Sequence, residues 1–251
     1  MSYAICIVPV AHIRLVPDHR SEMTNQVLFG ESIEIYDIDS EGWMQMESIA
    51  DGYKGYCRAN QFFLTGVVLQ SKNEFTGDWV SEIYVNDQKL MIPYGSDLSI
   101  LHADLPGCKV SYSGNIYTAG KENLTPENII KLSSIFLNTA YLWGGKSVFG
   151  IDCSGYVQSV FKMLDIRLPR DANTQVAIGD PIGFLEESEC GDLAFFDDEE
   201  GKIIHVGILI KPNQIIHSSG NVRIDPIDNE GIINSTTKKR THHLRVIKRI
   251  F

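Results

Sequence analysis

The stretch Tyr141-Leu-Trp-Gly-Gly-Lys-Ser-Val-Phe-Gly-Ile-Asp-Cys-Ser-Gly-Tyr156 decides how this chain is read. A loop punctuated by glycine delivers Cys153. Directly behind it, Val157, Val160, Phe161 and Leu164 recur at the spacing of an amphipathic helix. Asp152 stands where an N-cap is expected, which places Cys153 in the first helical turn. There the positive end of the helix dipole favours thiolate over thiol. Gly144, Gly145, Gly150 and Gly155 suit a backbone that another molecule must approach closely. An isolated cysteine at a helix start is most often a small buried hydrophobe, so its companions in the sequence decide its role.

Two histidines follow in strand-like runs, Ile203-Ile-His205-Val-Gly-Ile-Leu-Ile210 and Gln214-Ile-Ile-His217. Lys211-Pro-Asn213 between them reads as a hairpin turn. His205 and His217 then fall on neighbouring strands, where their rings can meet on one face. A nucleophilic thiol needs a base within hydrogen-bond reach, and that base needs an orienting partner. A cysteine on a helix start and two histidines on adjacent strands meet that need.

The motifs Tyr141-Leu-Trp-Gly-Gly, Asp152-Cys-Ser-Gly155, Pro169-Arg-Asp171, Gly191-Asp-Leu-Ala-Phe-Phe196, His205-Val-Gly207 and Ile216-His217 occur in this order. Together they resemble the NlpC-type family of papain-like cysteine peptidases, which act on bacterial cell-wall peptides. The resemblance covers about the last half of the chain. It implies Cys153 as nucleophile, His205 as general base and acid, and His217 as the orienting third residue. It also implies an oxyanion site built from the Cys153 backbone N–H and the Tyr141 hydroxyl. Cys6, Cys57, Cys108 and Cys190 lack the glycine-rich loop-to-helix setting.

Upstream of the helix at Thr125-Pro-Glu, whose threonine reads as N-cap and proline as first helical residue, the pattern is β. Ile5–Val8, Ser32–Tyr36, Trp43–Met46 and Gly55–Cys57 read as short strands, with an irregular segment after Val8. Gln26-Val-Leu-Phe-Gly-Glu31, Gly42-Trp43 and Asp51-Gly-Tyr-Lys-Gly-Tyr56 resemble bacterial SH3-like domains. Residues 66–115, with strands at Asp78–Val85 and Lys89–Ile92 around an Asn86-Asp87 turn, resemble a second, divergent one. The expected fold is an α+β papain-like catalytic domain preceded by two small all-β SH3-like barrels. The expected domains are 1–65, 66–115 and 116–251.

This arrangement is similar to the γ-D-glutamyl-L-diamino acid endopeptidases that act on free murein peptides. In that group the first SH3-like domain narrows the cleft so that only a peptide with a free N-terminal L-alanine fits. The resemblance implies an ammonium pocket of Asp171 with Glu22 and Tyr56 or Tyr53. Such a pocket selects an amine, because carboxylates left without a cation are costly. Asp152, Ser154 and Arg170 flank the nucleophile as candidates for the D-glutamyl carboxylate, Ser154 and Arg170 being the two that can donate hydrogen bonds. The implied partner is a murein-derived peptide such as L-Ala-γ-D-Glu-diaminopimelate, with diaminopimelate or lysine as the diamino acid.

A net charge of −10 over 251 residues argues against a nucleic-acid partner. No run approaches the roughly 18 apolar residues of a membrane span, and the N-terminus lacks a basic n-region, so no membrane association is expected. Five cysteines without a CxxC pair fit reduced thiols in the cytoplasm. No cofactor or metal is called for. The competing readings are a peptidoglycan-binding protein with a vestigial peptidase domain, and an acyltransferase or amidase on the same scaffold.

Overall fold

Alternation in Ile33-Glu-Ile-Tyr and Trp43-Met-Gln-Met becomes antiparallel pairing in the computed structural model, which describes residues 2–251. Strands β1 (Ser2–Cys6), β2 (Val10–Arg14), β3 (Met23–Leu28), β4 (Ser32–Ile38), β5 (Trp43–Ser48), β6 (Lys54–Arg58) and β7 (Phe62–Leu64) form one sheet. Its order is β3-β2-β6-β5-β4-β1-β7. Ile13, Val27, Ile33, Met44, Met46 and Cys57 fill its core. The segment after Val8, expected to be irregular, contains β2 and β3 paired with each other. Asn25 and Gln26 in β3 are buried polar residues, and they hide that strand from an apolar-alternation reading.

Strands β8 (Glu74–Thr76), β9 (Val80–Val85), β10 (Gln88–Pro93), β11 (Val110–Tyr112) and β12 (Ile116–Thr118) follow. The β9–β10 hairpin turns through Asn86 and Asp87 with φ of 48° and 65°, the double positive φ of a tight hairpin turn. Ile83, Ile92, Leu98 and Ile100 share a core with Ile5 of β1 and with Phe29, which directly follows β3. Both β regions lie in one compact unit, which runs up to Gly120 and includes Trp143–Phe149.

That short excursion is anchored within the first unit. Its Gly144 has a φ of +73°, and a Cβ there would lie 2.3 Å from the Met23 carbonyl oxygen. Gly144 thus serves a chain-to-chain approach rather than the approach of another molecule. In strand β13 (Lys146–Ser147) the Lys146 N–H donates to Gln26 Oε1 at 2.8 Å. The Lys146 ammonium is buried, 3.4 Å from Glu31 and 3.8 Å from Asp51.

The second unit comprises Lys121–Leu142 and Gly150–Phe251. Helix α1 (Pro126–Ser134) starts as its sequence predicts, with Thr125 Oγ1 accepting from the Asn128 N–H at 3.3 Å. Strand β14 (Gly150–Ile151), helix α2 (Cys153–Lys162) and helix α3 (Ala172–Gln175) come next. Then follow strands β15 (Asp180–Ile182), β16 (Leu193–Asp197), β17 (Ile203–Lys211), β18 (Gln214–Ser219), β19 (Asn221–Asp228), β20 (Gly231–Ile233) and β21 (Arg240–Arg249). Strand β21 pairs with β16 and with β20, so β16 to β21 close into a six-stranded barrel, with β15 attached to β21. Helices before strands is the expected order, but closure was not foreseen. Strand β21 is longer than the predicted Leu244–Ile247 run because its polar flanks alternate outward. Asp192 locks its far end by accepting from Arg249 Nε at 2.9 Å and Nη2 at 2.8 Å.

Candidate active site

Asp152 has extended backbone and caps α2 with its side chain, accepting from the Gly155 N–H at 2.7 Å. Arg170 grips the same carboxylate with both terminal nitrogens, at 3.0 and 2.5 Å, and donates to Ser154 Oγ at 2.9 Å. All three side chains are buried. This bidentate pair fixes the first turn of α2 and with it Cys153. Arg170 and Ser154, read in the sequence as binders of a ligand carboxylate, are thus already joined to Asp152. Gln175, from α3, adds to the clamp by donating to the Ser154 carbonyl at 3.1 Å.

Cys153 is 7% exposed, and α2 packs on β17. Burial, followed by the Asp152 charge, pushes its thiol up to about 12. The backbone N–H groups of Val206 and Ser154, with Arg170, act in the opposite sense. The Val206 contact brings the sulfur to the residue following His205. Burial, followed by His217 and His242, holds the His205 imidazole well below its ordinary value. Both shifts favour the uncharged form of the group concerned. At this helix start, where the dipole favours the thiolate, desolvation acts in the opposite sense.

His205 and His217 meet as the hairpin reading predicts. Gly207 pairs with His217 across β17 and β18, so His205, two residues from Gly207, shares a face with His217. His205 Nε2 lies 2.8 Å from His217 Nδ1. That leaves Nδ1 of His205 as the nitrogen not engaged with His217. A Cβ on Gly207 would come within 2.8 Å of His217 Cβ, which explains a glycine in the His-Val-Gly motif.

Two residues escaped the sequence reading. Asp225, on β19, lies 3.1 Å from His217 Nε2 and is 1% exposed. It pairs across the sheet with Ile215, so it shares the face that carries His217. Extending the predicted Val222–Ile224 strand by one residue would have reached it. His242, on β21, stacks on His205 with ring centroids 4.1 Å apart and an interplanar angle of 22°. No local signal marked it, because barrel closure alone brings β21 to this point.

Tyr141 sits before β14, bridged to Ile151, with its N–H donating to the Gly220 carbonyl at 2.9 Å. Partial burial, with Cys153 and the Asp152 carboxylate nearby, pushes its phenol up to about 12, so the hydroxyl keeps its proton. Asp171 is exposed at the start of α3 and its side chain makes no capping bond there. Glu22, Tyr53 and Tyr56 belong to the first unit. Within it Glu22 Oε1 accepts from Trp143 Nε1 at 2.6 Å, Tyr53 packs against the first core, and Tyr56 is half-buried on β6.

The NlpC/P60 family model matches residues 138–241, which span Cys153, His205, His217 and Asp225. The second unit carries an NlpC/P60 cysteine peptidase domain. A bacterial dipeptidyl-peptidase Sh3 domain model matches residues 13–62 of the first unit. A gamma-D-glutamyl-L-lysine dipeptidyl-peptidase of Bacillus subtilis (strain 168) is 45% identical over 96 residues, covering 38% of this chain and 32% of that relative. A protein of the same name from Bacillus cereus (strain ATCC 10987 / NRS 248) is 26% identical over 88% of this chain and 76% of its own length. The crystal structure of an NlpC/P60 family protein from Bacillus cereus ATCC 10987 shares the fold, with a TM-score of 0.80 at 20% identity over 99% of both chains. Cys153, His205 and His217 all lie within the NlpC/P60 match, and the Sh3 match covers most of the first sheet.

Proposed function

We propose that this cysteine peptidase hydrolyses the γ-D-glutamyl–diamino acid bond of murein peptides with a free N-terminal L-alanine, in the recycling of cell-wall peptides. The observation that carries the proposal is the Cys153–His205–His217 constellation within a domain so similar to that of a named γ-D-glutamyl-L-lysine dipeptidyl-peptidase. The papain-like α+β character of the second unit and a second SH3-like barrel in the first are part of the same reading.

In the mechanism, Cys153 Sγ attacks the γ-carbonyl carbon of D-glutamate while its proton passes to His205 Nδ1. The Cys153 N–H and the Tyr141 hydroxyl donate to the oxyanion that forms. His205 then delivers the proton to the leaving amine of the diamino acid, and the C–N bond breaks to leave a thioester on Cys153. Water attacks the thioester as His205 takes its proton, releasing L-Ala-D-Glu and restoring the thiol. Asp171, exposed beside the Arg170 clamp, serves the α-ammonium of the substrate. The five free cysteines favour a reducing compartment, and we place the activity in the cytoplasm on that ground.

The test is turnover of such a peptide by Cys153→Ala and Cys153→Ser variants. Both should fold normally and lose turnover. A Cys153→Ala variant with full activity would overturn the proposal.

A further inference from the structure

Beyond the cysteine and its two histidines, a buried carboxylate terminates the relay. We infer that Asp225 is a positioning residue which, through His217, sets the tautomer of His205 and presents its Nδ1 to Cys153. The inference deepens the peptidase reading and rests on Cys153 being the nucleophile, although its test needs no peptide.

The geometry is a diagonal line across three strands. His205 Nε2 lies 2.8 Å from His217 Nδ1, and His217 Nε2 lies 3.1 Å from Asp225 Oδ2. The residues are 5%, 1% and 1% exposed. Asp225 is also held from outside the relay. Arg223 reaches Oδ2 through Nε at 2.9 Å and Oδ1 through Nη2 at 3.0 Å, and the Ser235 N–H donates to Oδ1 at 2.9 Å.

Every group around this carboxylate other than His217 is a donor, and they favour its ionised form. Burial opposes ionisation, but the bonds from His217, Ser235 and Arg223 outweigh it and hold Asp225 below the usual carboxylate range. An ionised carboxylate only accepts, so the proton in the His217 contact resides on Nε2. A neutral imidazole has one donor nitrogen, which leaves His217 Nδ1 as an acceptor. His205 must then donate from Nε2, and its lone pair falls on Nδ1. The orienting chain thus fixes two tautomers with one buried charge, and that charge also stabilises the imidazolium formed when His205 takes the thiol proton.

The other titratable or charged groups around the site are Cys153 and Asp152 at the start of α2, Arg170, Tyr141, His242 stacked on His205, and Arg223. His242 is neutral at ordinary pH, because burial brings it down to about 4. It therefore offers no charge that could replace Asp225.

The direct test is nitrogen NMR of the wild-type protein with labelled histidine at pH 7.5. His205 and His217 should both appear as Nε2–H tautomers, and a His217 carrying its proton on Nδ1 would overturn the inference. The second test follows alkylation of Cys153 by iodoacetamide across pH in Asp225→Asn and Asp225→Glu. An asparagine amide must turn its NH2 towards one of the donors. Alkylation near neutral pH should fall roughly 10- to 100-fold, as on losing a carboxylate that orients a histidine. The limb of the profile that reports the imidazole should move to lower pH, and Asp225→Glu should recover part of the rate. A residue that merely braces strands would lower the melting temperature and leave that limb in place. Wild-type rate and profile in a folded Asp225→Asn would refute the assignment, and should that variant not fold, the tautomer measurement decides alone.

Discussion

Gly207 lies directly across from His217, so close that a Cβ on Gly207 would come within 2.8 Å of His217 Cβ and 2.7 Å of Ile215 Cδ1. His217 is thereby placed by the absence of a side chain on the neighbouring strand. A methyl group here would force out either His217 or Ile215. Overpacking of this kind costs about 1–3 kcal/mol, and misplacement of a catalytic group by an ångström can cost about 100-fold in rate.

We therefore predict that Gly207→Ala lowers kcat by roughly 10- to 100-fold and leaves KM little changed. Steady-state kinetics on a murein tripeptide, with a thermal melt as control, checks this. Wild-type kcat would show that the strand pair yields without moving His217.

Lys146 offers a test in the first unit. Its ammonium is buried between Glu31 and Asp51, and Asp51 keeps a depressed pKa because Lys146, Ser48, Asn25 and the Tyr53 N–H together overcome the upward push of burial. Lys146→Met leaves two buried carboxylates without their cation, a loss of about 3–5 kcal/mol. Urea unfolding at pH 7 should show that loss. Adding Glu31→Gln should recover part of it, and no recovery would mean that the lysine acts through packing alone.

His242 and His205 predict an acid-sensitive second unit. Burial lowers His242 from 6.5 to about 4, and His205 shifts in the same direction. Between these values the unfolded chain binds more protons than the folded one, so stability present above pH 6.5 is lost as pH falls towards 4. His242 alone accounts for a loss on the order of 3 kcal/mol. His242→Phe keeps a ring over His205 and should flatten this dependence. Equal slopes for variant and wild type in urea unfolding at pH 7.5 and 4.5 would contradict the prediction. Protonation of Asp225, whose folded pKa is depressed below 3.8, removes further stability only below this window.

Amine selection gives a fourth prediction. Acetylating the N-terminal alanine of the substrate should slow cleavage strongly, and Asp171→Asn should raise KM for the free-amine peptide while leaving the acetylated one unaffected. Equal rates on both peptides would remove Asp171 from the proposal.

Much of the second unit was legible because its signals are local. The Thr125 cap, the helix behind Cys153, and the hairpin that joins His205 to His217 each depend on a few adjacent residues, and each is found. What escaped was non-local or polar. β3 carries buried Asn25 and Gln26, whose partners Asp51 and Lys146 lie far away in sequence. Barrel closure by β21 brought His242 onto His205 with no nearby motif to announce it. The desolvation of the thiol escaped for the same reason, since it depends on what packs around Cys153 rather than on the helix it begins. The Gly144 reading failed because Met23, the residue it approaches, is distant in the chain.

The most direct measurement is mass spectrometry of L-Ala-γ-D-Glu-diaminopimelate incubated with the wild-type protein and with Cys153→Ala. The account predicts release of L-Ala-D-Glu and free diaminopimelate by the wild type alone. An intact tripeptide after exhaustive incubation, or the same products from Cys153→Ala, would contradict it.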